Sequence, residues 1–467
     1  MSHLQLLFDR RSAQGERQRP DYGVLMPAIF VAALCASLLA PGAAFADSSA
    51  SGKPRPQAHQ GLRVTYDVRG SAPTRDGQRL RVNVDLGNVI VRTQDSGKID
   101  YTVHLEADGS ARDAQQLLKT FIVTSRADAE GVVVRGLTTN KQDAGRLWIT
   151  VQINVPMNYN LDVTTGGGNI QIEDVNGRAL LTTAGGNIVS GNVTGSGRFV
   201  TKGGHITARN VGGDLVATTG GGHITAGTIG GVATLHTDGG HIQVASIAGP
   251  GHVTTGGGNV YVGHSANQLI AETIGGQIEV GEAAGLVNAK TAGGGIHVVH
   301  MLGPSNLETG GGSIFLTQVD GTVKASTGTG AITAWFVAPP KTASSCEFQS
   351  GEGDIVVYIP RELPVTIDAQ IQSDDRHQFF VDPAFRLLIT RDPGPNGSET
   401  LHAVGSLNGG GEVVHLRTVS GNIRLIASDA AKQVEIYKHQ MKQMQDNLQN
   451  MTRQYEGRAE ESKITTP

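Results

Sequence analysis

One phrase recurs every 18 residues from Leu161 to Ala334 without an insertion. Its first fixed column is glycine: Gly168, Gly186, Gly204 and so on to Gly330. Two residues later stands isoleucine, from Ile170 to Ile332, with Val260 as the one replacement. Three residues before the glycine stands threonine, from Thr165 to Thr327. Ten copies keep all three columns. A fixed period of this length marks a solenoid, in which each repeat is one small unit stacked on the next.

The inside of a copy reads as strand, turn, strand. Leu161, Val163 and Thr165 alternate with outward residues, a period of two. Gly166-Gly167-Gly168 turns the chain, and positive φ, open to glycine, is the expected reason. Ile170 and Ile172 then point inward, followed by Val175 and a second turn at Gly177. Five or six inward positions cannot make a core alone, but stacking joins them into columns. At about 4.8 Å per coil, ten coils give a rod of about 45–50 Å. A coil this short has no room for a helix, so the expected fold is all-β, a single-stranded β-helix or solenoid. The threonine column is expected at an inner corner, its hydroxyls bonded to the turn backbone. Phe199, Tyr261 and Phe315 are the repeat region's only aromatics, in keeping with a narrow interior. The pattern leaves handedness open.

The 64 glycines among 467 residues therefore mean turns rather than disorder. A net charge of −4, with no basic stripe, gives no footprint for nucleic acid. Arg10, Arg11, Arg17 and Arg19 precede an apolar run from Val24 to Ala40, and Ala44-Phe45-Ala46 precedes Asp47. Residues 1–46 read as a secretory signal peptide, with Met26 as an alternative start. The protein is expected to be exported, to the periplasm, the outer surface or the medium. Cleavage would leave Cys346 as the one cysteine, read as a small, partly buried residue that forms no intramolecular disulfide.

Residues 47–60 read as a polar linker, and 61–160 as a β-rich N-terminal cap on the solenoid. Within the cap, strands are expected at Leu62–Val68, Leu80–Val84, Val89–Arg92, Ile99–Leu105, Phe121–Thr124 and Val132–Arg135. Ala111–Thr120 is its one helical stretch, with Ser110 as the N-cap. The regular solenoid occupies 161–334. Residues 335–427 read as degenerate coils and a C-terminal cap. Ile355 to Pro360 followed by Leu363 to Ala369 echoes Val151 to Val163: strand, proline, short turn, strand. Ser373–Ser398 reads as an irregular insertion, and Gly409-Gly410-Gly411 and Ser420-Gly421-Asn422-Ile423 as the last coils. Residues 428–467 form an amphipathic helix and tail capped at Ser428 or Asp429. Val434, Tyr437, Met441, Met444, Leu448, Met451 and Tyr455 follow a heptad spacing. This seam predicts a homo-oligomer; the alternative is a helix packed back on the rod or free in solution.

Ile153-Asn154-Val155-Pro156 followed by Leu161 to Ile170, together with Gly353-Asp354-Ile355 and Val357-Tyr358-Ile359-Pro360, resembles a bacterial β-strand-repeat family of unknown function labelled "putative adhesin". The resemblance covers roughly 80–427. It implies a right-handed, single-stranded β-helix in an envelope or secreted protein, and it brings no catalytic residues. The length and regularity of the array, and the heptad tail, depart from the family's pattern.

His205, His223 and His241 occupy one column of consecutive coils, just after the turn. Three stacked imidazoles could hold zinc or copper. The same column holds Asn169, Asn187, Asn259, Gln277, Gly295, Ser313 and Ala331, small or polar groups suited to a turn exit, which favours a ladder, so no metal or cofactor is expected. Glu272, Lys290 and Glu308 alternate in sign down another column, as in a surface ion-pair ladder. The acids of the repeats are scattered over columns and coils. With neither a catalytic triad nor a phosphate loop, the chain reads as non-enzymatic. The expected function is adhesin-like binding of an envelope or surface partner, glycan or protein. A periplasmic scaffold is the alternative, and a carbohydrate-active β-helix enzyme a minor one.

Overall fold

The computed structural model describes residues 63–337, 345–373, 377–393 and 399–429, together with 435, 438, 439, 442 and 446. The expected leader, the linker and the seven seam residues lie outside the described residues. Among the described residues the fold is all-β with one short α-helix, and two long parallel sheets run through a solenoid-like stack. Each regular coil adds one strand to each sheet. Sheet B takes the strand before the glycine turn, such as Ala179–Thr183, and sheet A the strand after it, such as Ile188–Val193. Coil pairs with coil in unbroken register: Ile188 faces Ile206, Ile206 faces Ile224, and Ile224 faces Ile242. The inward positions read from one copy are the buried ones: Leu161, Val163, Thr165, Ile170, Ile172 and Val175. The apolar ones belong to a single core cluster that runs from Ala72 to Leu425. Phe199 fits inside it because Gly197, two residues away, and Ala217, facing it in the next coil, leave space.

The threonine column is the inner corner. Thr219 Oγ1 donates to the Gly204 carbonyl of the preceding coil at 2.8 Å and accepts the N–H of Gly222 at 3.2 Å. The link begins with Thr165 on Gly87, reaches Thr327 on Gly312, and continues through Ser350 and Thr418. These hydroxyls are nearly inaccessible, and each is satisfied by turn backbone.

The glycines serve a different purpose from the one expected. Positive φ occurs at Gly77, Gly87, Gly109, Gly131, Gly409 and Gly410, none of them in the regular repeat. The reason for the invariant column is close approach. A Cβ on Gly222 would run into the Gly204 carbonyl, and one on Gly240 into the Gly222 carbonyl. The glycine just before each, Gly221 or Gly239, faces open space.

The two ends are built by leaving a layer empty and filling it from elsewhere in the chain. In a regular coil the chain passes from sheet A into sheet B one layer on. Leu147–Pro156 instead leads into Asn160–Thr165 two layers on, a rise of about 9.5 Å rather than 4.8 Å. The layer between them is Arg79–Val84 and Asn88–Gln94. The second proline phrase does the same. Ile355–Pro360 leads into Val365–Ser373, and Val413–Thr418 with Ile423–Ser428 fills the gap. Tyr159, fully buried at the first jump, closes it by a hydroxyl hydrogen bond with Thr74.

Four expectations change. Residues 61–160 are more than a cap, because 79–94 is an internal coil of the solenoid. The coil at 413–428 is not the last, since Val365–Ser373 and Phe379–Val381 lie beyond it. Gly409-Gly410-Gly411 is not a coil corner: Asn408, Gly409 and Gly410 take left-handed conformations in a turn following Glu399–Leu407. The stretch read as an irregular insertion contains the strands Phe379–Val381 and Leu388–Pro393. In the N-terminal part the expected strands form but run longer, as in Lys98–Asp108. Antiparallel strands close that end, Arg63–Pro73 on Lys98–Asp108 and Lys98–Asp108 on Leu147–Pro156. Helix Ala111–Leu118, capped by Ser110 accepting the Asp113 N–H, buries Ala114, Leu117 and Leu118. Among the described residues no helix is long and apolar enough to cross a membrane.

Candidate binding faces of the solenoid

A polar ladder follows the turn on the outside. Asn88 Oδ1 accepts the Asn169 N–H, Asn169 that of Asn187, and Asn187 that of His205. The histidines then take over the same task. His205 Nδ1 accepts the His223 N–H at 2.9 Å, His223 Nδ1 the His241 N–H at 2.8 Å, and His241 Nδ1 the Asn259 N–H at 2.8 Å. Their rings stack 4.9 and 5.0 Å apart, within 8° of parallel. Because Nδ1 accepts, the neutral ring carries its proton on Nε2. A metal at Nε2 would need that proton moved to Nδ1, where it would face a backbone N–H. The geometry makes these three side chains structural acceptors. Among the described residues, no group of three or more His, Cys, Asp or Glu is arranged to hold a metal ion. A second ladder runs along the far corner of sheet A, where Asp174 accepts both the backbone and side-chain N–H of Asn192. The backbone bond, above all, holds the Asp174 carboxyl below its ordinary range.

Sheet B presents an open outer face. Its outward residues from Asp162 to Gln349 are all exposed or half-exposed. They include Thr164, Thr182, Thr218, Thr234 and Thr254, short polar groups at strand spacing. Of the alternating charged column, Lys290 and Glu308 pair at 3.0 Å, and Glu272 stands opposite Lys290 in register. Lys324 and Glu347 add another pair at 3.1 Å.

Sheet A differs. Phe315 packs edge-to-face with His297 and with Trp335, and Trp335 stacks on Tyr358 with ring centroids 4.5 Å apart. Ile426 follows Tyr358 in register. Beside this row a polar column carries His264 and Glu282 at 3.8 Å and His300 and Asp320 at 3.1 Å. Between the two lie Gly263, Gly281, Val299 and Thr317, a shallow trough of small or short side chains. Val299 and Thr317 point outward by register, yet they are 0% and 3% exposed. Burial holds the Tyr261 phenol well above its usual range. Cys346 lies on the inward side of sheet B, fully buried rather than partly, and burial pushes its thiol up to about 11.

The profile of the Toastrack DUF4097 family matches residues 78–426. The chain belongs to that family. The match begins at the inserted coil 79–94 and ends within the other inserted coil, so it spans the whole parallel stack. Three solved structures are similar. A putative cell adhesion protein from Clostridium sporogenes has 8% identity and a TM-score of 0.15, with 78% of this chain and 100% of that one covered. A putative adhesin from Bacteroides fragilis has 11% identity and a TM-score of 0.16, covering 77% and 97%. Another from Parabacteroides distasonis has 12% identity and a TM-score of 0.18, covering 64% and 92%. A comparison with curated proteins found no match.

The histidine column was visible in the repeat. The aromatic row was not, because Trp335 and Tyr358 stand where the 18-residue period has lapsed. A signal did exist: Phe315, Trp335 and Tyr358 all stand on strands at outward parity.

Proposed function

We propose that the protein is an exported, non-enzymatic β-solenoid that binds glycan or protein partners through its regular outer surface, in the manner of an adhesin. The observation that carries this reading is the sheet B face. It is long, flat and open, with hydroxyl, amide and charged groups repeating at strand spacing, and a rigid stack holds them in place. Such a face offers many weak polar contacts in fixed register, which suits an extended repetitive partner. The apolar run and Ala44-Phe45-Ala46 support export.

Two measurements test it. Protease applied to intact cells should cleave the protein, which places the face outside. Protection until the outer membrane is permeabilised would instead favour a periplasmic scaffold. On a glycan and surface-protein array, Thr218→Glu with Thr254→Glu should abolish binding of the purified chain. Unchanged binding by that variant would remove sheet B from the reading.

A further inference from the structure

The polar ladder after the turn has a direction. Each side chain spends an acceptor on the backbone N–H one layer on: Asn169 on Asn187, Asn187 on His205, His241 on Asn259 and Asn259 on Gln277. His205 and His223 continue the same bonding between them. A backbone N–H only donates, so it fixes Oδ1 or Nδ1 along the stack and leaves Nδ2 or Nε2 to carry its N–H elsewhere. The far-corner ladder is built otherwise. There Asn192 Nδ2 donates to Asp174 and Asn210 Nδ2 to Asn192, so those amides are consumed within the stack. Nδ2 of Asn169, Asn187 and Asn259, and Nε2 of His241, have no such partner among the described residues. All four side chains are exposed. At the neighbouring Gly167, Gly185 and Gly239 a Cβ would meet nothing, so the approach to the row is clear.

We propose that this corner binds a linear 1,4-linked polyuronate, a glycan with one carboxylate on each sugar. The site rests on the glycan side of the reading above but lies off sheet B. Three features select the ligand. First, a row that only donates calls for a ligand that accepts. An ionised carboxylate accepts without donating, whereas a neutral sugar hydroxyl does both. Hydrogen bonds to an ionised acceptor are also the stronger kind. Second, the spacing agrees. A sugar ring linked through its first and fourth carbons advances by about the rise of one coil, about 4.8 Å. The strands that follow Asn169 and Asn259 lie five layers apart in unbroken register. That is about 24 Å, room for about six sugars. Third, Lys202 stands exposed at this corner in the coil of His205 and adds a positive charge. The acid of the same corner column, Asp238, is engaged by His236 at 3.1 Å.

The test titrates the purified chain with a mannuronate hexasaccharide by calorimetry. Cellohexaose, which has the same linkage and no carboxylates, is the comparison ligand. The hexamannuronate should bind and cellohexaose should not. Asn187→Asp with Asn259→Asp keeps an acceptor at each step, as Asp354 does for the Asn422 N–H at 2.8 Å, but puts oxygen where each outward N–H stood. That variant should melt like the parent and bind about ten-fold or more weakly. Thr218→Glu with Thr254→Glu places the same added charge on sheet B. It should keep hexamannuronate binding while losing its array partners, so this site and the sheet B reading fail separately. Lys202→Gln, a change at an exposed side chain, should also weaken binding, and it decides the matter if the Asp variant does not fold. Four results would each overturn the proposal: no hexamannuronate binding by the parent, equal binding of cellohexaose, full binding by the folded Asp variant or by Lys202→Gln, and loss of binding in the sheet B variant.

Discussion

His223 Nδ1 accepts the backbone N–H of His241 at 2.8 Å, while the two imidazoles stack 5.0 Å apart. The bond requires a neutral ring, because a protonated Nδ1 presents an N–H to an N–H. Protonation also puts like charges in adjacent layers. Each ladder bond contributes about 1 kcal/mol or less. Replacing His205, His223 and His241 together by Asn keeps an acceptor at each step, and replacing them by Ala removes it. At pH 7.5 the Asn variant should unfold at the same urea concentration as the parent and the Ala variant at a lower one. Equal midpoints for the two variants would remove the side-chain acceptors from the account.

His104 makes stability depend on pH. Its Nδ1 meets Asp67 Oδ1 at 2.7 Å, and its Nε2 meets Glu106 Oε1 at 3.1 Å. The hydrogen bond to Asp67, followed by that to Glu106, raises the imidazole above its ordinary value. Its stabilising effect is complete below the unfolded value and is lost as pH rises through the raised folded one. His104→Gln should narrow the stability gap between pH 5.5 and pH 8.5 on the antiparallel N-terminal strands, read by hydrogen exchange in Lys98–Asp108. An unchanged gap would refute the assignment.

Gly221 and Gly222 should respond differently to the same methyl group. At Gly222 a Cβ meets the Gly204 carbonyl, which neighbouring coils hold in place, so Gly222→Ala should cost about 3 kcal/mol or more. At Gly221 the added methyl meets nothing, and φ is not left-handed. Gly221→Ala should be neutral or stabilising by about 0.4–1 kcal/mol through the unfolded state. Thermal melts of the two variants decide the matter, and similar losses in both would contradict the close-approach account.

Cys346 should be silent until its layer opens. Its sulfur is fully buried, and burial pushes the thiol up to about 11, so little thiolate forms at pH 8. In a Cys35→Ser chain, maleimide labelling should be slow in buffer and rise with urea in step with loss of β-structure. Complete labelling of the native protein within minutes would show that the layer at Cys346–Ser350 opens locally.

Legibility followed the range of the interactions. Thr219 was readable as an inner-corner hydroxyl because its parity and its turn lie within one copy. His223 was readable as a ladder member because Asn and Gln share its column. The role of Gly222 was misread: a glycine that permits positive φ and one that permits close approach look alike in one copy. Trp335 and Tyr358 were missed as partners of Phe315 because the period breaks between them.

The amino-acid sequence by itself determined the coil: its 18-residue length, its two strands, its inward columns and its threonine corner. Those properties depend on side-chain alternation and turn residues that are neighbours along the chain. Only the tertiary structure decided that the two proline phrases skip a layer, that 79–94 and 413–428 fill the gaps, and that the aromatic side chains Phe315, Trp335 and Tyr358 meet on sheet A. Those outcomes depend on hydrogen-bond registers between segments far apart in the chain. Every sheet edge offers the same unpaired N–H and C=O groups, so the strand that takes them is settled by which arrangement buries the ends of the stack.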